Sequence, residues 1–216
     1  KKKQLLDLLN YTNECYRNKN ALISDNLYDI LKEFIEKKYP TVSEINVIGA
    51  DTIVKNKVKL PYFMASMNKM KPSTNELEKW KKKYSSNYLI SAKLDGISAL
   101  YVSENKKLYT RGNGKEGQDI SYMIPYLNIP EFKNNTVVRG ELIISKENFK
   151  KYKSYKNARN MVAGIVNSKK KDIEKWKDID FVMYEVIEPK VKPKKQYQLI
   201  KSYNCVKYKF KFERIS

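Results

Sequence analysis

The segment Lys93-Leu94-Asp95-Gly96 separates two apolar runs, residues 88–92 and 97–103, and it decides how the chain is interpreted. Both runs are rich in aliphatic, β-branched and aromatic residues, a composition typical of strands. Asp-Gly favours a turn. We therefore expect Lys93 at the end of one strand, just before a turn and a second strand.

Further strands and helices are expected on either side of this segment. Helices are predicted at residues 4–18 and from a cap at Ser24 or Asp25 to Tyr39. Because paired strands come first and helices follow downstream, we predict an α+β fold with a mainly antiparallel sheet. The other predicted strands are residues 107–111, 137–144, 181–187 and 207–212, and the other predicted helices are residues 75–84, 146–152, 158–167 and 194–203.

Charge and composition restrict the classes of function. The 216 residues carry 44 Lys and Arg against 24 Asp and Glu, a net charge of +20. This surplus favours a polyanionic partner, because phosphates that a protein neutralises release their counterions. The alternative is that the charge reflects a solvated, lysine-rich surface in a protein from an AT-rich genome. Two distant cysteines and no histidine argue against a zinc or disulfide framework, and no apolar run approaches the roughly 20 residues of a membrane span.

Glycine and arginine are scarce here, and both concentrate in four short segments. Six of the seven glycines lie in them, and Arg111, Arg139 and Arg159 lie in or beside them. Glycine allows close approach of backbone to a ligand, and the planar guanidinium binds phosphate through paired hydrogen bonds. Turns with structural ion pairs would explain one such segment, but four together predict a nucleotide or phosphate site. The segments are residues 93–96, 110–117, 139–141 and 163–164.

Lys93 is the predicted nucleophile. A lysine amine attacks phosphorus only when it is neutral, and burial or cationic neighbours favour the neutral form. We expect Arg111 and Arg159 to be those neighbours while they bind phosphate oxygens, and Glu141 to accept hydrogen bonds from a ribose. In-line attack on an α-phosphate would give a phosphoramidate, with a divalent cation such as Mg²⁺ assisting. The alternative is that Lys93 is an ordinary surface lysine without a catalytic role.

Together these segments resemble the covalent nucleotidyltransferase superfamily of DNA ligases, RNA ligases and capping enzymes, and within it the NAD-dependent DNA ligases. Residues 93–96 are similar to the KxDG motif that carries the adenylated lysine. Residues 110–120, 139–141 and 158–164 are similar, in order and spacing, to that family's TRGDG, RGE and PRN-AAAG segments. The resemblance implies an ATP-grasp-like nucleotidyltransferase domain over residues 57–216. It also implies catalytic roles for Lys93, Asp95 and Arg111, cofactor contacts from Gly96, Glu141 and Arg159, and stacking of Tyr184 on adenine.

The N-terminal residues carry a second resemblance. Residues 23–31 are similar to the I-S-D-x-x-Y-D-x-L element of the small domain that holds the nicotinamide mononucleotide (NMN) half of NAD, so residues 1–56 are expected to be an NMN-binding helical module with a linker. Asp25, Tyr28 and Asp29 share one face near a helix N terminus. A ring there can stack on nicotinamide while carboxylates offset its charge; a helix cap with a half-buried tyrosine is the alternative. The resemblance further implies cofactor contacts from Tyr16, Ser66 and Met67.

The chain departs from the family pattern at several positions. Ser91 stands where a glutamate facing adenine is expected, Cys15 replaces an aromatic residue, and Asn167 replaces an arginine. A downstream Glu-x-Asp-Gly-Val-Val-x-Lys strand is not found. We therefore expect the chain to stop inside the adenylation domain, before the OB-fold, zinc and helix-hairpin-helix modules of the family, and we predict no metal ligands within it.

The resulting hypothesis is the adenylation step of an NAD-dependent DNA ligase. Lys93 would attack the adenylyl phosphate of NAD, release NMN and carry AMP for the later sealing of nicks with a 5′-phosphate and a 3′-OH. The expected partners are NAD, Mg²⁺ and nicked double-stranded DNA, for a monomer in the cytoplasm or nucleus, or for a viral protein in an infected cell. The alternatives are an ATP-dependent polynucleotide ligase or capping-type nucleotidyltransferase, and a non-catalytic DNA-binding module that retains the fold.

Overall fold

The computed structural model describes most of the chain in two units. Described are residues 1–18, 22–39, 57–68, 70, 73–84, 88–132, 135–155, 157–168, 171–203 and 210–213, without the side chains at 16–18, 25 and 210–213. The first unit comprises Lys1–Ser66 and Gly112–Gln118, and the second comprises Met67–Arg111 and Asp119–Ser216.

Two packed helices and a short strand pair form the first unit. Helix α1 (Lys2–Asn18) and helix α2 (Asp25–Lys38) bury Leu9 and Ile35 between them. The Ser24 hydroxyl caps α2 by accepting a hydrogen bond from the Leu27 amide at 3.3 Å, as the sequence predicts. Strand β1 (Lys57–Lys59) pairs antiparallel with β5 (Glu116–Gln118).

The apolar stripe of α2 is only partly used for packing within this unit. Ile35 is fully buried and Leu31 packs beside it. Leu27, Ile30 and Phe34, which continue the stripe at helical spacing, remain about half exposed. An apolar stripe read from one helix therefore overestimates the packed face, because a single neighbouring helix covers only one side of it.

A four-stranded antiparallel sheet organises the second unit. Its strand order is β4-β3-β6-β7, and a separate antiparallel pair joins β2 to β8. The strands are β2 (Tyr88–Ser91), β3 (Ile97–Val102), β4 (Lys107–Thr110), β6 (Val137–Ile144), β7 (Ile179–Glu188) and β8 (Phe210–Glu213). The helices are α3 (Glu76–Lys83), α4 (Lys146–Phe149), α5 (Ala158–Val166), α6 (Ile173–Lys177) and α7 (Pro193–Ser202), with a 3-10 helix at Ser121–Tyr126.

These elements confirm the prediction of mixed helices and antiparallel strands. Each predicted strand and helix has a counterpart whose bounds differ by a few residues; the predicted strand at 207–212 lies partly outside the described residues. The sequence patterns indicate a linker with some short strands over residues 41–60, where β1 lies, but they do not predict β5, the 3-10 helix or α6. These three elements are short, so their apolar periodicity is too brief to stand out from a loop.

Side-chain alternation gives the four-stranded sheet two different faces. Ala99, Leu142 and Phe181 lie on one face, in a core cluster that also contains Met161 and Val162 of α5. A Cβ at Gly140 would lie 2.5 Å from the Phe181 ring, so glycine leaves room for that ring against the strand. Residues one position away in each strand point to the opposite face. That second face contains the polar residues of the predicted site.

Candidate active site

Lys93 lies in the irregular segment between β2 and β3, and its side chain is exposed. Burial therefore does not shield the amine. The physical reason is that β2 ends at Ser91 and pairs with β8, so residues 92–95 are a connection outside the four-stranded sheet and are not covered by it. Lys93 nevertheless lies close enough to Glu141 for its positive charge to act on that carboxyl.

Glu141 connects the predicted residues of the second unit. It lies in β6, directly opposite Ser98 of β3, and it is 7% exposed. Its Oε2 accepts a hydrogen bond from the Ser98 hydroxyl at 2.9 Å. Burial raises the pKa of the Glu141 carboxyl, while the Ser98 hydrogen bond, the charges of Lys93 and Arg159 and the Gly96 N–H oppose that rise. Three segments distant in sequence, residues 93–98, Glu141 and Arg159, thus meet at one carboxylate.

Gly96 allows this meeting because it has no side chain. A Cβ built at this position would lie 2.0 Å from the Leu142 carbonyl oxygen of β6 and 2.8 Å from the Ile143 Cγ2 atom. The turn after Lys93 therefore lies directly against the neighbouring strand. That contact brings the Gly96 amide to the Glu141 carboxylate.

Two of the scarce arginines lie beside the same residues. The Arg111 amide donates to the Ser98 carbonyl at 2.9 Å, which places this half-buried residue at the end of β4 next to β3. Arg159 lies in the first turn of α5, and its Nη1 atom forms an ion pair with Asp95 at 3.0 Å. Asp95 is 76% exposed on its side chain, so this pair adds little stability and mainly orients the guanidinium.

Tyr184 lies at a β-bulge of β7. Arg139 pairs with Glu185 and Gly140 pairs with Met183, which leaves Tyr184 as the additional residue. The bulge re-aims its side chain. Tyr184 is half-buried, and its phenol lies near the Ser98 hydroxyl. Burial, and then the negative charge of Glu141, raises the pKa of its phenol.

The third arginine, Arg139, has a different surrounding. Its Nη1 atom lies 2.7 Å from Glu185 Oε2 across β6 and β7. Ser98, in contrast, is a site residue that sequence reasoning missed, although its hydroxyl donates a hydrogen bond to Glu141. The available signal is its position two residues after Gly96, which places it on the same sheet face as Glu141 only once the strand register is known.

The glycine-rich loop of the first unit is a hairpin turn. Gly112 and Gly114 have φ of 54° and 95°, values that favour glycine. The Asn113 side-chain oxygen accepts hydrogen bonds from the amides of Lys115 and Glu116, at 3.0 and 2.8 Å. This segment therefore has a sufficient structural explanation in its turn geometry.

The other predicted cofactor residues belong mostly to the first unit. Tyr28 and Asp29 lie in the first turns of α2 and are half-buried, and Tyr28 packs against the Leu9 and Ile35 cluster. The side chains of Tyr16 and Asp25 lie outside the described residues. Ser66 of the first unit and Met67 of the second are both exposed.

The described residues do not supply a metal site or a membrane span. They contain no group of three His, Cys, Asp or Glu side chains placed to hold a metal ion. The two carboxylates nearest Lys93 are already engaged, Asp95 by Arg159 and Glu141 by Ser98, so these residues do not fit a Mg²⁺ ligand set. Within the same part of the chain, no helix is long and apolar enough to cross a bilayer.

Comparison with known proteins identifies relatives of this arrangement. Residues 56–213 match the family model for the NAD-dependent DNA ligase adenylation domain. A DNA ligase of Acanthamoeba polyphaga mimivirus is 43% identical over 208 residues, which is 91% of this chain and 32% of that protein. Putative DNA ligase 205R of Invertebrate iridescent virus 6 is 37% identical over 180 residues, 80% of this chain and 28% of that protein.

A bacterial relative matches less closely but over a similar length. The DNA ligase of Clostridioides difficile (strain 630) is 29% identical over 213 residues, 85% of this chain and 32% of that protein. The chain thus spans about a third of the length of these relatives.

Proposed function

Since the chain belongs to the family of NAD-dependent DNA ligase adenylation domains, we propose that Lys93 is adenylated by NAD as the first step of DNA ligation. One observation carries the proposal. Lys93, Gly96 and Arg159, from two segments distant in sequence, act on the buried Glu141 carboxylate of a third. Such a convergence of a lysine amine, a guanidinium and a hydrogen-bond acceptor suits an adenylyl group.

The proposed reaction is an in-line substitution at the adenylyl phosphorus. A bond forms between Lys93 Nζ and phosphorus while the bond from phosphorus to the bridging oxygen breaks. NMN leaves with that electron pair, and the proton released by the amine passes to solvent, to which Lys93 is exposed. Because the step is mainly positioning and charge neutralisation, the exposed position of Lys93 suits it, since the nucleophile must be reachable by a dinucleotide.

The surrounding residues take their roles from their chemistry. Glu141 accepts hydrogen bonds from ribose hydroxyls, and Tyr184 stacks on adenine. Arg159 and Arg111 bind phosphate oxygens, with Asp95 holding the Arg159 guanidinium in place. Gly96 keeps the turn against β6.

The helical first unit is proposed to bind the NMN half of NAD. Tyr28 and Asp29 lie in the first turns of α2, where an aromatic ring and a carboxylate suit a cationic nicotinamide. Tyr16, Asp25, Ser66 and Met67 complete the proposed set of cofactor contacts, which derives from the family resemblance.

Mg²⁺ is given no step in this mechanism, because the described residues do not form a ligand set for it. Mg²⁺ is included in the assay because it is commonly bound together with substrate phosphates. Ligation of nicked double-stranded DNA is proposed for the whole protein and not for this chain alone. The relatives are about three times as long as this chain.

The decisive experiment is mass spectrometry of the full protein after incubation with NAD and Mg²⁺. We expect a mass increase of one AMP, mapped by peptide analysis to Lys93, with release of NMN. Lys93→Ala should abolish the adduct and leave the melting temperature unchanged, because the side chain is exposed. Lys190→Ala, at another exposed lysine, is the matched control and should still be labelled.

The same experiment separates the alternatives. An adduct from ATP and none from NAD would favour the ATP-dependent class. No adduct from either nucleotide would favour a non-catalytic module that retains the fold.

A further inference from the structure

We propose that the lysine-rich segment of residues 145–157, which joins β6 to α5, binds the phosphate backbone of nicked duplex DNA beside Lys93. This inference rests on the proposed function, because it places DNA next to the lysine that would carry AMP. Its support is separate from the motif resemblance, since residues 145–157 lie between the segments that carry that resemblance.

Positive charge is concentrated in this segment. Residues 145–157 include five lysines and a single acidic residue, Glu147. Lys146, Lys150 and Lys153 are exposed, and within the described part of the chain none of these three forms an ion pair. The three ammonium groups are therefore available to a negatively charged partner.

Hydrogen bonds hold the segment in place. Ser145 caps α4 by accepting a hydrogen bond from the Asn148 amide at 3.0 Å. Lys151 Nζ donates to one oxygen of Asp178 at 2.9 Å, and the Tyr152 hydroxyl donates to the other oxygen. Burial, and then the hydrogen bond to Asp178, raises the pKa of Tyr152 to about 12, so the phenol keeps its donor proton at neutral pH. The exposed lysines thus lie on a backbone that is ordered before a partner binds.

Both ends of the segment adjoin the proposed active site. Glu141 lies in β6, five residues before Lys146, and Arg159 lies in the first turn of α5, six residues after Lys153. Even a fully extended chain spans only about 18 Å over five residues and about 22 Å over six. At 3.4 Å per step along one DNA strand, these distances correspond to about six nucleotides. A strand bound by the segment would therefore pass close to the site.

The arrangement of the charges suits a row of phosphates better than one phosphate group. A lysine is a mobile point charge without a fixed hydrogen-bonding fork, and these three lysines are spread along eight residues of the chain. Neighbouring acidic residues do not cancel their charge, because each of those acids is paired with another lysine. The pairs are Asp172–Lys175, Glu174–Lys177 and Asp178–Lys151. A polyanionic backbone is the partner that such a surface attracts.

The test is fluorescence anisotropy of a labelled nicked duplex, titrated with the full protein at several salt concentrations. A triple variant with Lys146→Ala, Lys150→Ala and Lys153→Ala removes the three charges. Because each phosphate contact contributes roughly 0.9 to the salt slope, the slope should become less steep by about 3, and binding at about 0.1 M salt should weaken more than 10-fold.

A second triple variant, with Lys190→Ala, Lys192→Ala and Lys195→Ala, is the matched control. It removes the same charge from exposed lysines. These follow the end of β7, where Glu188 pairs with Val137 at the end of β6 that is remote from residues 145–157. Its salt slope should change by less than about 1. Equal changes in the two variants would show that net charge alone governs binding, and the inference would be wrong.

Single substitutions protect the test against a folding defect. If the triple variant at 146, 150 and 153 melts below the wild type, the three single alanine variants take its place. Each should reduce the salt slope by about 1. Three unchanged slopes would overturn the inference.

Lysyl-AMP formation from NAD, measured on the same proteins, separates this inference from the proposed function. If the wild type forms no adduct, the proposed function is wrong, and the DNA titrations still decide the role of residues 145–157. If the triple variant at 146, 150 and 153 loses adenylation by the same factor as DNA binding, its lysines bind the dinucleotide, and the inference is wrong while the proposed function stands.

Discussion

Glu141 is the residue in which structural and functional requirements conflict. The carboxylate is almost entirely buried, and burial raises its pKa. In the proposed function this carboxyl accepts hydrogen bonds from ribose, and the ionised form has the larger acceptor capacity. Two hydrogen-bond donors, Ser98 and the Gly96 amide, and the charges of Lys93 and Arg159 work against the cost of burial.

A pH-dependent stability difference should follow from this burial. Because the folded pKa lies above the ordinary value of 4.5, stability from this group is complete below that value and is lost as pH rises through the folded pKa. Glu141→Gln lacks the titration. Its free energy of unfolding relative to the wild type should therefore increase with pH across that window, as measured by urea denaturation.

The control for this prediction is Glu104→Gln, at an exposed turn residue. Its stability relative to the wild type should not vary across the same window. If the difference in unfolding free energy between Glu141→Gln and the wild type is also independent of pH, the pKa of the Glu141 carboxyl is not raised by folding. Adenylation by Glu141→Gln should fall at least about tenfold at neutral pH, the equivalent of roughly 1.4 kcal/mol.

Gly96 and Gly164 offer a second comparison of single residues. Gly96→Ala should lower the free energy of unfolding by about 1–3 kcal/mol, because its Cβ would lie 2.0 Å from the Leu142 carbonyl oxygen. Gly164 lies inside α5, where the nearest atom to a new Cβ is Tyr155 Cε1 at 3.8 Å. Gly164→Ala should instead stabilise the protein by about 0.5–1 kcal/mol. Equal effects would contradict the packing at Gly96.

At the scale of elements, helix α5 connects the apolar core to the site. Its Met161, Val162, Ile165 and Val166 are buried, while Arg159 in its first turn pairs with Asp95. The Asn157 side chain caps the helix by accepting a hydrogen bond from the Asn160 amide at 2.7 Å. One cap thus stabilises both the core helix and the position of the guanidinium.

Removal of this cap should have two effects. Asn157→Ala should cost about 1 kcal/mol in the free energy of unfolding, and it should raise the NAD concentration needed for adenylation, since the first turn holds Arg159. Chemical denaturation and NAD titration of the full protein measure the two effects. Asn157→Ser keeps a capping oxygen and should restore most of the stability and most of the NAD response. If Asn157→Ala changes neither quantity, the capping role is excluded.

At the scale of the whole molecule, the net charge of +20 is the dominant property. The ion pairs Lys32–Glu36, Lys175–Asp172 and Lys177–Glu174 are solvent-exposed and therefore contribute little to stability. A polyanion is the partner that such a surface attracts. This agrees with the proposal that the complete protein binds DNA.

Binding of a nicked duplex should therefore weaken steeply with salt. The logarithm of the association constant should fall linearly with the logarithm of salt concentration, with a slope of roughly −0.9 per phosphate contacted. Fluorescence anisotropy of a labelled nicked duplex, titrated with the full protein at several salt concentrations, measures that slope. A salt-independent affinity would mean that the lysines are only a solvated surface.

Local physics made much of this protein predictable from its sequence. Apolar alternation and helix caps act over a few residues, so the sequence alone located the strands around Lys93, the Ser24 cap and the helix carrying Arg159. The glycine- and arginine-containing segments predicted a phosphate or nucleotide site, and their resemblance to a known family implied a nucleotidyltransferase. Short elements such as β5 and α6 were not predicted, because they contain too few residues to show a hydrophobic periodicity.

Only the tertiary structure decided how the side chains of the site meet. Lys93 is exposed because β2 pairs with β8 and not with the central sheet. Ser98 faces Glu141, and Tyr184 lies at a bulge, because of strand register between segments that are about 40 residues apart in the chain. Register depends on packing across the whole core, and no local pattern encodes it.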